Sequence, residues 1–283
     1  MSIAAEYAAA LHKKEPKNYS QNSVFVCDLP ARKLDGIKVA IFDIYGTIIN
    51  FCPARFSNDD EKKDYQAKVF LKTAEEFGFI ETLKKIDPAT PAETTLANFY
   101  GGLLLMLQER DEENGKKFAE PQVSDVWNLI LAMLARNGYN CTQYGIEDRD
   151  DFAKCIAYFF HFHSFGRSTL FKNFGKTLAD LKNKGIKLGL LANTQFYTTF
   201  ELSLLLREEG ISDDYLDIFD DELCFFSYDF NMNKQSRILH QKLFDTLYDS
   251  KILPKEALFI SANKWDLDYA EQIGMQTATA NVS

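Results

Sequence analysis

Lys38-Val-Ala-Ile-Phe-Asp-Ile-Tyr-Gly-Thr-Ile-Ile49 is the stretch that decides the fold. Val39, Ala40, Ile41 and Phe42 are apolar without alternation, the pattern of a strand covered on both faces in the middle of a parallel sheet. The run delivers one carboxylate, Asp43, into a turn that contains Gly46 and Thr47. Parallel α/β sheets bind ligands at the carboxyl ends of their strands. Asp43 stands at that end, followed by a glycine that permits unusual backbone angles and a threonine that can hydrogen-bond. Asp near Gly is also ordinary turn chemistry, so the rest of the chain carries the decision.

Toward the N-terminus, residues 1–35 form an extension. Ala4 to Lys14 reads as a short helix, Glu15-Pro-Lys-Asn-Tyr-Ser-Gln-Asn22 breaks it, and Ser23-Val-Phe-Val-Cys27 reads as a short strand, suited to a sheet edge or an interface arm. Beyond Thr47 the next sheet-like run is Lys187-Leu-Gly-Leu-Leu-Ala192, and the residues between are helical in pattern. Asp60 to Phe77 spaces Tyr65, Val69, Phe70, Ala74 and Phe77 at helical intervals. Pro88 to Gln108, Ser124 to Asn137 and Asp150 to Phe165 continue that pattern. Residues 51–169 therefore read as a helical insertion. Within it, His161 and His163 lie two apart, so on a helix they point in different directions and are packing residues, not a metal pair. Met106, Trp127 and Met133 read as core.

The remainder alternates strand and helix. Thr169 to Lys184 reads as a helix closed by Gly185. Lys187 to Ala192 reads as a strand, Phe196 to Glu209 as a helix before Gly210, and Leu223-Cys-Phe-Phe-Ser227 as a strand. Gln235 to Tyr248, Ala257 to Ser261, Trp265 to Ile273 and Gln276 to Ala280 repeat the alternation. This implies an α/β three-layer sandwich around a parallel sheet. The expected domains are 1–35 as extension, 36–50 with 170–283 as the α/β core, and 51–169 as a helical cap.

Asp43-Ile-Tyr-Gly-Thr47 resembles the first motif of the haloacid dehalogenase (HAD) superfamily, in the form found in its 2-haloacid dehalogenases. Three further segments extend the resemblance. Ala192-Asn-Thr194 is similar to the second motif, with Asn193 kept and the usual hydroxyl residue replaced by Ala192, a loss that Thr194 could repair. Lys234 matches the lysine that opens the third motif, and His240 stands where the dehalogenase pattern has tyrosine. Ser261, Asn263, Trp265 and Asp266 reproduce the dehalogenase Ser-x-Asn-x-Trp-Asp. Phosphatases of the superfamily carry acidic residues at the positions of Tyr45 and Ala262, so both motifs favour the dehalogenase branch.

The resemblance implies a Rossmann-type HAD core and a covalent mechanism. Asp43 attacks carbon and displaces halide, and water near Asp266 hydrolyses the aspartyl ester. Lys234 keeps Asp43 ionised; Thr47, Ser261 and Asn263 orient the pair; Tyr45, Asn193, Thr194 and Trp265 contact a small anionic substrate. No cofactor is expected. A magnesium-dependent phosphatase is the alternative, with Asp43 and Asp266 as the Mg²⁺ ligands, and a non-catalytic binder of a small anion or partner is another. The family's halide-binding cap arginine has Arg55, Arg110, Arg136, Arg149 and Arg167 as candidates.

Composition sets the outer bounds. A chain of 283 residues with 46% hydrophobic content can bury about three quarters of its unfolded surface. A net charge of -9 and a pI near 5.1 argue against a nucleic-acid partner. Cys27, Cys52, Cys141, Cys155 and Cys224 are far apart, which suggests reduced thiols and neither a zinc site nor a disulfide framework. With neither signal peptide nor membrane-length apolar run, the expectation is a cytoplasmic protein without membrane partner.

Overall fold

A computed structural model describes residues 2–15, 25–28, 36–50 and 58–282. It divides into two compact units, Met1–Pro16 with Cys52–Arg167, and Lys17–Phe51 with Ser168–Ser283. The extension anticipated over residues 1–35 thus splits between them. Cys27, Cys52 and Arg55 lie where no side chain is described.

The first unit is helical: α1 (Ile3–Lys14), α2 (Asp59–Glu76), α3 (Ile80–Ile86), α4 (Ala92–Glu113), α5 (Val123–Arg136) and α6 (Arg149–Phe165). Asn58 and Asp148 cap α2 and α6 by accepting the backbone N–H of Glu61 and Asp151 at 2.9 Å each. The stretch from Pro88 to Gln108 is not one helix from its start. Asp87 breaks α3, and α4 begins only after Pro91 because proline cannot donate to the preceding turn. Trp127, Phe79, Phe152 and Tyr158 fill the interior. Met106, anticipated in the core, is 49% exposed on the outer face of α4. The α1 helix packs on α6, where buried His12 shares a 2.8 Å hydrogen bond with the Tyr158 hydroxyl. His161 and His163 face neighbouring rings, His161 near Tyr158 and Phe165, His163 near Phe159 and Phe162.

The second unit holds strands β1 (Phe25–Asp28), β2 (Val39–Phe42), β3 (Ile49–Asn50), β4 (Thr169–Leu170), β5 (Lys187–Ala192), β6 (Cys224–Phe226), β7 (Ala257–Ser261) and β8 (Gln276–Val282). Its helices are α7 (Phe174–Asn183), α8 (Thr198–Glu208), α9 (Ser227–Phe230), α10 (Ile238–Asp249) and α11 (Lys264–Gln272). Six strands form one sheet in the order β1-β8-β7-β2-β5-β6, parallel except for β1, which edges it antiparallel to β8. Thr169 to Lys184, expected as one helix, opens as β4 instead. Its two residues pair antiparallel with β3, and α7 starts only after Asn173 has turned through φ +68°.

All four residues of β2 are wholly buried, as an unalternating central strand requires. Ala40 and Phe42 point into one layer with Phe174, Leu178, Leu202 and Leu206 of α7 and α8. Val39 and Ile41 point into the other with Leu239, Leu243, Leu267 and Ala270 of α10 and α11. This is an α/β three-layer sandwich. Gly189 of β5 allows the close approach: a Cβ there would lie 2.5 Å from the Leu223 carbonyl oxygen and 2.6 Å from the Ile41 side chain.

Candidate active site

In-register parallel pairing decides what comes together. Phe42 is level with Leu190 of β5 and Ile260 of β7, so the chain beyond each strand enters the same rim of the sheet. Asp43 leaves β2 with its N–H donated to the Ile260 carbonyl at 2.9 Å, and Gly46 turns the chain at φ +80°. Thr47 is fully buried, and its hydroxyl accepts the Ala262 N–H at 3.0 Å, tying the β2 and β7 loops together.

Lys234 stands in a short 3-10 turn, Lys234–Ser236, that precedes α10. Its ammonium lies 3.0 Å from Asp43 Oδ1 and 2.5 Å from Asp266 Oδ2. The backbone N–H of Lys234 donates at 2.7 Å to the side-chain oxygen of Asn193, which binds the β5 loop to this turn. Ser261 donates to Asp43 Oδ2 at 3.2 Å and stands 3.4 Å from Asp266 Oδ2, while its Oγ accepts the Asn263 N–H at 3.0 Å.

Two buried carboxyl groups share one buried ammonium. Burial works against the Lys234 charge, but Asp43 and Asp266 outweigh it and hold its pKa above the ordinary value. Asp266 is pushed up, by burial first and by Asp43 in addition, against the opposing pull of Lys234. Its Oδ1 is buried and carries no hydrogen bond. Asp43 Oδ1 accepts both Lys234 and the Ile44 N–H, the latter at 2.9 Å, whereas Oδ2 has only Ser261 among the described residues.

The remaining anticipated residues are dispersed around this cluster. Asn263 turns its side chain to the Trp265 N–H at 3.0 Å as the cap of α11, and makes no hydrogen bond to Asp43 or Lys234. Trp265 is 41% exposed and stacks on Tyr269. Thr194 is buried with its N–H on the Ser227 hydroxyl at 2.7 Å and its own hydroxyl unpartnered. The Tyr45 phenol donates to Glu201 at 2.9 Å and lies 3.1 Å from the Thr198 hydroxyl. Burial, with Glu201 beside it, drives that phenol's pKa well up.

Glu201 stands in no motif of the sequence. It is a buried carboxylate that also accepts the Ser168 hydroxyl at 2.6 Å, so it joins the Asp43 loop to the segment entering β4. Its signal is an acid on the apolar face of Phe200-Glu-Leu-Ser-Leu-Leu-Leu206, in register with Leu205. His240 was recognised only by position. It is 1% exposed, both ring nitrogens lack partners, and its ring meets Tyr269 edge-on at 4.6 Å. Burial, followed by Lys234 and Arg237, lowers its pKa to about 4.

Among the candidate arginines, Arg110 pairs with Asp111, Arg149 donates to Asn128 at 2.5 Å, and Arg167 donates to the Glu15 carbonyl at 2.6 Å. Toward Mg²⁺ the site offers two carboxyl groups, Asp43 and Asp266. Both available carboxylates already face one ammonium, residue 262 offers no acid, and no cluster of three metal-ligating side chains occurs among the described residues. No helix among the described residues is long and apolar enough to cross a membrane.

No family model matches the chain, and no curated protein matches its sequence. Solved structures do. A 2-haloacid dehalogenase from Pseudomonas syringae pv. tomato DC3000 superposes with a TM-score of 0.50 at 19% identity, covering 85% of this chain and 85% of that one. A structure described as a predicted HAD-like family hydrolase from Porphyromonas gingivalis gives 0.49 at 16% identity, covering 88% and 93%. A HAD family enzyme from Bacteroides thetaiotaomicron, in complex with magnesium and inorganic phosphate, gives 0.46 at 19% identity, covering 88% and 96%. The chain has the HAD-like α/β fold.

Proposed function

We propose that the protein is a haloacid dehalogenase-like hydrolase in which Asp43 is the nucleophile toward a small anionic substrate, of the metal-independent 2-haloacid type. The reading rests on one observation: Lys234 is buried between Asp43 and Asp266, and its ammonium occupies the place between the two carboxylates. An ammonium there offsets the charge of the Asp43 carboxylate in a site of low water content, where a carboxylate is a far better nucleophile than in bulk. Asp43 Oδ2, with its single long hydrogen bond, retains the most lone-pair density and is the attacking oxygen.

In the first step Oδ2 bonds to the halogen-bearing carbon as the carbon–halogen bond breaks, and halide leaves with the bonding pair. In the second, water adds to the Asp43 carboxyl carbon and gives a proton to Asp266 Oδ1, the buried oxygen without a partner. The ester C–O bond then breaks, the proton on Asp266 passes to the departing alkoxide, the hydroxy acid is released, and the second proton of the water, left on the Asp43 carboxyl, goes to solvent with the halide. Thr47 and Ser261 keep the two loops in register for this. A single turnover of 2-chloropropionate with enzyme in excess, run in H₂¹⁸O, tests it. The heavy oxygen should enter Asp43 and not the lactate; label appearing directly in lactate would discard the ester.

A further inference from the structure

The helical unit contains a cavity of about 680 Å³ between α2, α4 and α6. Its wall is aromatic. Phe70 and Phe160 lie 4.7 Å apart, Tyr100 and Phe160 5.1 Å, and Phe70 and Tyr100 5.7 Å, so three rings form one continuous apolar surface. Trp127 backs the cluster at 5.4 Å from Tyr100 and 5.5 Å from Phe160, which fixes those rings in place. Polar groups reach the same space: Lys62, Gln66 and Ser164 line it together with Tyr100. None of these four has a polar side-chain partner among the described residues, and Lys62 forms no ion pair there.

We propose that this cavity binds a small aromatic carboxylate. Pockets of about 300–1,000 Å³ with an apolar lining and a few convergent polar groups are the usual form of a small-molecule site. A flat ring can stack offset or edge-on against the Phe70, Tyr100 and Phe160 wall. The carboxylate would meet Lys62, with the Gln66 amide and the Tyr100 and Ser164 hydroxyls as further donors. A positive group is present at the rim and no acidic side chain among the described residues lines the cavity, so an anion fits where a cation does not. The lining residues among those described all lie in the helical unit.

The test is calorimetric titration of 4-phenylbutyrate into the full-length Asp43→Asn protein, which removes turnover as a source of heat. The expected Kd is on the order of 0.1 mM. Gly101→Leu supplies the cavity-filling variant. A Cβ at Gly101 meets nothing within 4 Å, and leucine favours the helix more than glycine does, so the variant should fold at least as stably while losing binding. Lys62→Gln should weaken binding by roughly fivefold or less, the scale of one exposed charge contact. Excess 2-chloropropionate should not displace the ligand, which separates this cavity from the Asp43 site. Absence of binding, undiminished binding in Gly101→Leu, displacement by 2-chloropropionate, or equal affinity for octanoate or 4-phenylbutan-1-ol would each overturn the proposal.

Discussion

Lys234 Nζ lies 3.0 Å from Asp43 Oδ1, with the two side chains 6% and 10% exposed, although 191 positions separate them in sequence (234 − 43). A buried ion pair of this kind contributes little by itself, since each partner loses hydration. Breaking it is a different matter. Here the same ammonium also serves Asp266, so among the described residues it is the cation that both buried carboxylates share.

Lys234→Met should therefore destabilise the protein by about 3–5 kcal/mol, the cost of leaving buried charge uncompensated. Combining it with Asp43→Asn should recover part of that loss, because one of the two stranded carboxylates disappears. Urea denaturation of the single and double variants measures both numbers.

Asp43→Asn alone should abolish turnover while the fold persists. It takes the cluster from two carboxylates against one ammonium to a balanced pair, so the melting temperature should hold or rise. Any change should stay within about 1 kcal/mol, in keeping with active sites that carry charge at some expense of stability. Full activity in the variant would end the covalent mechanism.

His240 predicts a stability loss in mild acid. Its folded-state pKa of about 4 lies below the unfolded value of 6.5, so the unfolded chain takes up a proton that the folded chain refuses. The contribution is fully present above pH 6.5 and fades as pH falls toward 4, with a total on the order of 3 kcal/mol. His240→Phe should flatten that part of the pH profile, since a ring without nitrogens suits a site that offers them no partner. Equal slopes between pH 7 and 4.5 in both proteins would count against it.

Tyr45→Phe probes the link between the Asp43 loop and Glu201. Removing the hydroxyl takes one donor from a buried carboxylate that also receives Ser168, and should cost about 1–3 kcal/mol. If the phenol acts only through this anchor, thermal melting drops while KM stays unchanged. A raised KM at unchanged stability would instead assign Tyr45 to substrate contact.

Much of this architecture was written locally. Val39 to Phe42 announced a central strand because a strand buried on both faces has no reason to alternate, and the structure buries all four side chains. The strands Lys187–Ala192 and Ala257–Ser261 were legible for the same reason. Local breakers were harder to weigh. The β3–β4 pair was invisible because a two-residue strand has no period, and it exists through distant partners, Ile49 with Leu170 and Asn50 with Thr169.

The sequence by itself determined which chemical groups were available: Asp43, Lys234, Ser261 and Asp266, with alanine at 192 and 262. Tertiary structure decided what each does with its atoms. It set one ammonium between two carboxylates, left Asp266 Oδ1 bare, turned Asn263 into a helix cap and committed Tyr45 to Glu201. Motif spacing fixes the strand end a side chain occupies. Which hydrogen bond it makes depends on the free energies of all the burial and pairing options around it, and those come from residues distant in the chain.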